Sequence, residues 1–383
     1  MGSCSISWRQ LLLQKRRLLL ALAGVAFSVM LMLMQLGFRQ ALFDSAGLFY
    51  SHLRGEIVLI SPQFEYLVYH STIPRRRLYQ ALAVDGVDSA APLTMGVANW
   101  KNPVTRVGKS ILVFGIDPAR NPFDMPEVAE NLERVRLPGK CLFDANSRAE
   151  FGPVAEMLDG GRAVTTELSG KKIEVSGVYH VGTSFGANGN LILSELSFAN
   201  LYPDRYPNAI DFGIIRLKAG ADVERVCNEL AASLPSDVRV LTQAELIRKE
   251  QKFWDDNSPI GFIFAMGTLM AVAVGSVVVY QILFADVSEH LADYATLKAL
   301  GHSGIYLCMI VLEQALILSF SGFVPGVLMA QAIYILAHRA TLLPMTMTLP
   351  RIAGVLILTV AMCVISGVLA LRRLKAADPA EIF

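Results

Sequence analysis

Charge is what this sequence has least of. Asp, Glu, Lys and Arg make up 17% of its 383 residues and apolar residues 53%, whereas a soluble domain carries about a quarter charged residues. The shortfall excludes an ordinary soluble chain and points to charge-free segments in particular places. Cysteine is scarce as well, five in all with no CxxC pair, so no redox or zinc framework is legible. The six histidines, His52, His70, His180, His290, His302 and His338, stand without HExxH or other ligand spacing, and no metal site is expected.

Catalytic motifs are missing too, although three stretches imitate them. Gly108-Lys109-Ser110 ends like a phosphate-binding loop, but the first glycine of GxxxxGK[ST] would fall at Pro103, and the following SILVFGI has the pattern of a strand, not a helix. GTSFGANG (Gly182 to Gly189) carries three glycines between a strand and NLIL, a second strand pattern. A glycine loop gains phosphate affinity from a helix N-terminus, so this one reads as a hairpin-like connection. Ser184 sits in TSFGA, not GxSxG, which leaves a hydrolase elbow unsupported. The chain is therefore expected to carry no catalytic, cofactor-binding or metal residue, and to have no nucleic-acid partner.

What is present is hydrophobic length. Leu18 to Phe38 holds no charge and is long enough to cross a hydrocarbon core of roughly 30 Å at about 1.5 Å per residue. Ser258 to Ala285 is also charge-free, Ser303 to Ala337 carries only Glu313, and Ile352 to Leu371 ends at Arg372. Arg9, Lys15, Arg16 and Arg17 flank the first run and Arg372, Arg373 and Lys375 follow the last, so both ends are expected in the cytoplasm and the number of spans is even. Ser303 to Ala337 is then a single helix, bent or loosened near Gly322, Pro325 and Gly326. The first run exceeds the core of a signal peptide and Met30 to Gln40 offers no small-x-small site, so it is expected to stay as an anchor.

The fold class that follows is a membrane protein with four transmembrane α-helices and a large α+β extracytoplasmic domain inserted between the first and second. The expected segments are a cytoplasmic start (1–17), span one (18–38), the external domain with stalk helices (39–257), span two (258–285), a cytoplasmic helix (286–302), span three (303–337), a short external loop (338–351), span four (352–371) and a cytoplasmic tail (372–383). Within the domain, Gly55 to Ser61, Ser110 to Ile116, Lys171 to Val181 and Phe212 to Lys218 read as strands rich in β-branched residues. Pro74 opens a helix through Leu82, and Asp222 caps another through Leu234. The loops Arg120 to Pro126 and Leu201 to Pro207 suggest two lobes, with the pieces before about Asp117 and after about Pro207 packed together near the membrane. Cys141 and Cys227 both fall in this domain, either as a disulfide or as two buried thiols. Trp254 reads as an interfacial anchor.

The segment after the second span is unusual. Asp286 is placed to cap a helix with Glu289 at its third position and Gly301 at its end. Val287, Leu291, Tyr294, Leu297 and Leu300 recur at threes and fours as an apolar stripe. His290 lies within it, and Asp286, Glu289 and Asp293 face only Lys298, an acidic balance on the side where positive charge is favoured. A helix lying on anionic headgroups fits that charge poorly, and docking to a protein fits it well. In the spans, Gly267, Ala271 and Gly275, and Gly24 with Ser28, repeat every four residues; such faces suit a dimer contact or packing within one subunit. Glu313 suggests proton coupling, or pairing with Gln314 or lipid headgroups.

WDDNSPIGFIF, VYQILFADVSEHLADYATLKALG, LEQALILSFSGFVPG and the terminal ADPAEIF closely resemble the DevC-type permease subunits of cyanobacterial ABC exporters, members of the wider MacB/FtsX-like superfamily. LLLALAGVAFSVMLMLMQLGFRQALFDSA and GTSFGANGNLILS resemble it too, so the likeness spans nearly the whole chain. It implies a homodimeric subunit without ATPase activity, working with a separate DevA-like ABC ATPase that carries the ATP and Mg, a periplasmic DevB-like membrane-fusion adaptor and an outer-membrane TolC-like channel. It further implies that Asp286 to Gly301 is the coupling helix, that motion is relayed to the periplasmic domain so that cargo need not cross the spans, and that the cargo is lipid-like, such as a glycolipid. Two alternatives are an FtsX-like regulator of a periplasmic hydrolase and a stand-alone membrane sensor.

Overall fold

The computed structural model describes residues 15–69, 71–184, 186–206, 208–289 and 304–376. They fall into two compact units, one drawn from Met1–Ala41, Pro259–Thr341 and Met345–Phe383, the other from Leu42–Ser258 and Leu342–Pro344. The first described element is helix α1 (Lys15–Ser51), which contains the whole first charge-free run. The sequence ends that span at Phe38, yet the helix runs on. Ala41, Ala46, Phe49 and Tyr50 are buried at helical spacing, so the polar residues after Phe38 do not break it.

Leu42–Ser258 builds a sheet domain. Its elements in order are β1 (Ile57–Ile60), β2 (Ile73–Pro74), α2 (Arg76–Ala81), β3 (Val87–Lys101), β4 (Gly108–Ile116), α3 (Pro126–Val135), β5 (Lys140–Asp144), α4 (Val154–Asp159), β6 (Val164–Leu168) and β7 (Lys171–Tyr179). Then come β8 (Asn190–Ser194), α5 (Glu195–Leu201), β9 (Ala209–Ile210), β10 (Phe212–Leu217), α6 (Val223–Ser233), β11 (Arg239–Thr242) and α7 (Gln243–Asn257). Nine strands form one sheet in the order β11-β1-β10-β3-β4-β8-β5-β7-β6, and β2 pairs with β9 apart from it. Strands from before Asp117 and after Pro207 make up one contiguous half of this sheet, β11-β1-β10-β3-β4, and the strands between them the other, β8-β5-β7-β6, so the two outer pieces pack together as expected, within one continuous sheet. Long β3 serves both halves, pairing with β10 and β4 and, through Trp100 and Leu168, with β6.

Two readings need correction. GTSFGANG does not close a hairpin, because β5 lies between β7 and β8, parallel to the first and antiparallel to the second. The stretch is a crossover, held by Asp144 at the end of β5, which accepts from the Val181 N–H (3.1 Å), the Gly182 N–H (2.8 Å) and Asn190 Nδ2 (2.9 Å). Pro74 belongs to β2, opposite Ala209; a two-stranded ribbon tolerates its missing N–H, and α2 starts at Arg76. Cys141 and Cys227 are free thiols packed with different core groups, Cys141 near Trp100 and Phe143 and Cys227 near Val226 and Leu230. Asp222 does cap α6, accepting from the N–H groups of Glu224 and Arg225.

The membrane unit is completed by α8 (Ile260–Glu289), α9 (Gly304–Thr341) and α10 (Leu349–Ala376). Among the described residues four helices are long and apolar enough to cross a membrane: Leu18–Ser51, Ile260–Glu289, Met309–Thr341 and Leu349–Arg372. The third is one helix that runs through Pro325. Gly322 and Gly326 serve close packing against α1, since a Cβ there would stand 2.6 Å from Val25 Cβ and 2.7 Å from the Ala26 carbonyl oxygen. The small faces offered as a dimer contact are likewise occupied inside one chain. Gly24 lies against Val278, Gly275 against Ser28, and Gly267 against Gln35, while Ala271 is buried in the same helical core. Small residues let α1 and α8 approach closely, and that contact uses the spacing read from the sequence.

Candidate functional site

Each unit joins helices through a buried acid. In the membrane unit it is Asp286. Its backbone lies inside α8, which continues to Glu289, whereas a cap residue is non-helical; the capping role is therefore corrected. The side chain is 7% exposed and accepts a hydrogen bond from Gln314 Nε2 at 2.9 Å, with Gln314 buried on α9. Val279, Leu283 and Val287 are buried on the same stretch of α8, and a carboxylate among such neighbours requires a donor. The amide expected beside Glu313 is thus given to Asp286. It ties α8 to α9 where residues 290–303 depart. His290, Leu291, Tyr294, Leu297, Lys298 and Gly301 lie outside the described residues, as does the terminal ADPAEIF.

In the sheet domain the acid is Glu250 on α7. Thr242 and Glu245 form a capping box that starts this helix, and Leu246, Glu250 and Trp254 follow at intervals of four on one face. Glu250 is 2% exposed. It accepts from Tyr50 Oη–H (3.0 Å), the Leu67 N–H (2.9 Å) and Trp254 Nε1–H (3.0 Å). Burial pushes its pKa up, while the same hydrogen bonds, which favour the carboxylate, pull it back. Trp254, read as an interfacial anchor, thus directs its indole N–H into the domain.

Around Glu250 the end of α1 and the whole of α7 are stapled side by side. Gln243 Nε2 donates to the Tyr50 carbonyl (2.6 Å) and to that of Leu53 (3.2 Å), and Gln251 Nε2 donates to the Phe43 carbonyl (3.2 Å). Ile247 packs where Gly47 has no side chain. Tyr66 stacks on Phe253 with centroids 4.6 Å apart and meets Trp254 edge-on at 5.3 Å. Just beyond, β1 pairs with β11, so the strands that follow α1 and precede α7 are neighbours. Sequence reasoning missed Glu250; its signal was a carboxylate at apolar spacing between Leu246 and Trp254.

The imitation phosphate loop has a structural place. Gly108, Lys109 and Ser110 lie on β4, and Lys109 pairs with Glu150 at 3.2 Å.

Four apolar helices with a sheet domain between the first two match two known family models. Residues 18–233 match the MacB-like periplasmic core domain and residues 265–379 the FtsX-like permease C-terminal domain. This chain belongs to the MacB/FtsX-like permease family. An uncharacterized ABC transporter permease of Mycobacterium tuberculosis (strain H37Rv) is 27% identical over 312 residues, covering 80% of this chain and 77% of the relative. Another, from Methanocaldococcus jannaschii, is 28% identical over 233 residues, covering 56% and 55%. Solved structures similar to it include the periplasmic region of MacB from Actinobacillus actinomycetemcomitans, with TM-score 0.35 and 8% identity over 51% of this chain and 92% of that one. The extracellular domain of the YknZ transporter from Gram-positive bacteria has TM-score 0.34 and 10% identity over 49% and 98%.

As a MacB/FtsX-like permease, the chain is a multi-pass membrane protein of the ABC transporter class, and its sheet domain is periplasmic. Permeases of this class work with an ATPase partner. Asp286 and Gln314 both fall within the FtsX-like match, Tyr50 within the MacB-like match, and Glu250 between the two.

Proposed function

We propose that this chain is the permease subunit of a DevC-type tripartite export system. Two copies would bind two DevA-like ATPases, which hold the ATP and Mg. A DevB-like adaptor and a TolC-like outer-membrane channel would carry lipid, glycolipid or another hydrophobic cargo away. Both termini are cytoplasmic in this reading, and the segment from Asp286 to Gly301 is the part the ATPase grips. The observation that supports it best is the buried Asp286–Gln314 hydrogen bond. It makes α8 and α9 move together at the root of that segment, as a lever requires. Along the chain, α8 is preceded directly by α7, whose Glu250 and two glutamines grip the end of α1. A push on residues 286–301 thus enters a helix connected to the periplasmic staple.

Leu291→Asp tests this reading. Leu291 belongs to the apolar stripe, and burying an unpaired carboxylate against a partner costs several kcal/mol in the docked state. ATPase co-purification and ATPase stimulation in nanodiscs are expected to collapse, while insertion is retained. Glu289→Lys is expected to weaken both mildly, as rim charges do. Unchanged ATPase binding and stimulation in Leu291→Asp would remove the segment from energy coupling.

A further inference from the structure

Helix α9 packs along α1 at a spacing of four residues. Val25 and Val29 of α1 lie where Gly322 and Gly326 of α9 have no side chain. About two turns further on the sizes reverse. Tyr334 of α9 now lies over Gly37 of α1, where a Cβ would overlap the phenol ring and its hydroxyl. This reversal fixes the register of the two helices. A slide by one turn, about 5.4 Å, would take the ring off Gly37 and drive it against Leu33 or Ala41, which are buried one turn to either side.

Polar contacts hold the same point. Tyr334 is 1% exposed, and its hydroxyl donates to the Leu33 carbonyl of α1. Arg351, at the start of α10, donates from Nη1 to the Tyr334 oxygen at 3.3 Å and to the Thr346 carbonyl at 2.7 Å. A guanidinium can only donate, so it takes a lone pair of the phenol oxygen and leaves the hydroxyl proton for α1. The joint gathers α1, α9 and α10.

Its place on α9 matters for the transmission of force. Gln314, which donates to Asp286 of α8, stands about 30 Å from Tyr334 along α9, at about 1.5 Å per residue. One helix therefore carries a polar joint to α8 near one end and a polar joint to α1 near the other. Helix α1 runs on to Tyr50, which donates to Glu250 on α7, and α7 is followed along the chain by α8. Motion entering between α8 and α9 thus has two legs: α8 to α7 by direct connection, and α9 to α1 through Tyr334.

We propose that Tyr334 is the positioning residue of the second leg, making α1 and α9 move as one body so that α1 and α7 are displaced in step. The source of the motion rests on the export reading given above. The joint itself is measurable without it.

The test places spin labels at Leu20 on α1 and Leu336 on α9, both exposed, in the full chain in nanodiscs with the ATPase that co-purifies with wild type. In wild type a single distance is expected, the same with and without Mg-ATP. Tyr334→Phe keeps the ring and the helical bonds of α1 but loses the hydroxyl. Mg-ATP is expected to give this variant a second distance, with the locked population lowered relative to the free one by about fivefold. Tyr334→Ala, which loses the ring as well, is expected to lose the fixed distance altogether. ATPase recruitment should be unchanged in both, because the segment it grips is untouched. A purely structural Tyr334 would lower thermal stability without making the distance respond to ATP, and that outcome counts against the proposal. A wild-type distance that shifts with ATP, or a distance that stays fixed in Tyr334→Ala, would overturn it. Failure of wild type to recruit any ATPase would sink the export reading instead. The nucleotide-free distance then decides the joint: broadening in Tyr334→Ala supports it and an unchanged distance removes it.

Discussion

Ser28, Thr359 and Ser319 in the membrane unit donate their hydroxyl protons to the carbonyls of Gly24, Val355 and Leu316, three or four residues back on their own helices. In the periplasmic domain, Glu250, Asp144 and Asp211 instead collect donors from far along the chain. Asp211 accepts from the Met95 N–H at 2.6 Å and from Arg205, and Glu250 reaches both Tyr50 and Leu67. The difference has a physical source. A hydroxyl in a hydrocarbon-spanning helix can satisfy itself on its own backbone, so the choice of neighbour passes to shape, at Gly275, Gly322 and Gly326. A buried carboxylate cannot satisfy itself, and only one arrangement of the chain delivers its donors. The membrane unit therefore relies more on fit and the domain on long-range polar staples; Asp286 with Gln314, the Ser366 hydroxyl on the Ser276 carbonyl and the Tyr334 hydroxyl on the Leu33 carbonyl are staples placed among spans.

The largest expected effect breaks a staple. Glu250→Leu would leave Tyr50 Oη–H, the Leu67 N–H and the Trp254 indole N–H without their acceptor, and each buried donor so orphaned costs about 1–3 kcal/mol. The denaturation midpoint of the domain, followed by near-UV circular dichroism of the full chain, should fall by an amount equivalent to at least about 3 kcal/mol. A loss near zero would reduce the staple to an ordinary contact. Glu250→Gln sharpens the point through pH. The folded pKa of Glu250 is raised, so its contribution is complete below the unfolded value, near 4.3 for glutamate, and is lost as pH rises through the folded value. Wild type should lose stability across that window relative to Glu250→Gln; parallel pH profiles would contradict a pKa raised by burial.

Next in size is a test of fit. Gly326→Ala places a Cβ 2.7 Å from a backbone carbonyl of α1, an overpacking that costs about 1–3 kcal/mol. Gly354→Ala, on α10, meets nothing within 4 Å, and the better helix propensity of alanine should leave thermal stability unchanged or slightly raised, by up to about 1 kcal/mol. Equal behaviour of the two variants would show that close approach at Gly326 does not specify the bundle. The smallest effect is expected of Thr359→Val. Thr359 is fully buried, but its hydroxyl serves only its own helix in the contacts described, so the change should stay within about 0.6 kcal/mol.

The same contrast decides what was legible in the sequence. The spans were readable because hydrocarbon demands long charge-free runs, and β1, β4, β7 and β10 were readable from their β-branched residues. β3 was not, since Pro92 and Gly96 punctuate it. In the sheet Pro92 lies beyond the stretch that pairs with β4, and Gly96 makes room for Tyr202; both reasons are tertiary. The crossover before β8 was misread because nothing local reveals that β5 will insert. Asp286 was noticed as an acid at the end of an apolar run, but its partner Gln314 lies on a different helix, and a pair so far apart leaves no periodic trace. Glu250 was hidden in QAELIRKEQKFWDDN, where one glutamate among many charges looks like solvated surface.

Tyr50 and Glu250 meet at 3.0 Å, and β1 lies beside β11: the chain leaves the periplasmic domain at the place where it entered. An insertion of that kind behaves as a cassette. Whatever lies between its two adjoining ends can be exchanged, enlarged or pruned while the helices on either side keep their own register, because closely spaced ends make a domain easy to accept as an insert. Diversity can thus accumulate in the inserted domain while the helices on either side of it stay constant. A chimaera that exchanges the segment between Tyr50 and Gln243 for that of a relative is the natural way to use this seam.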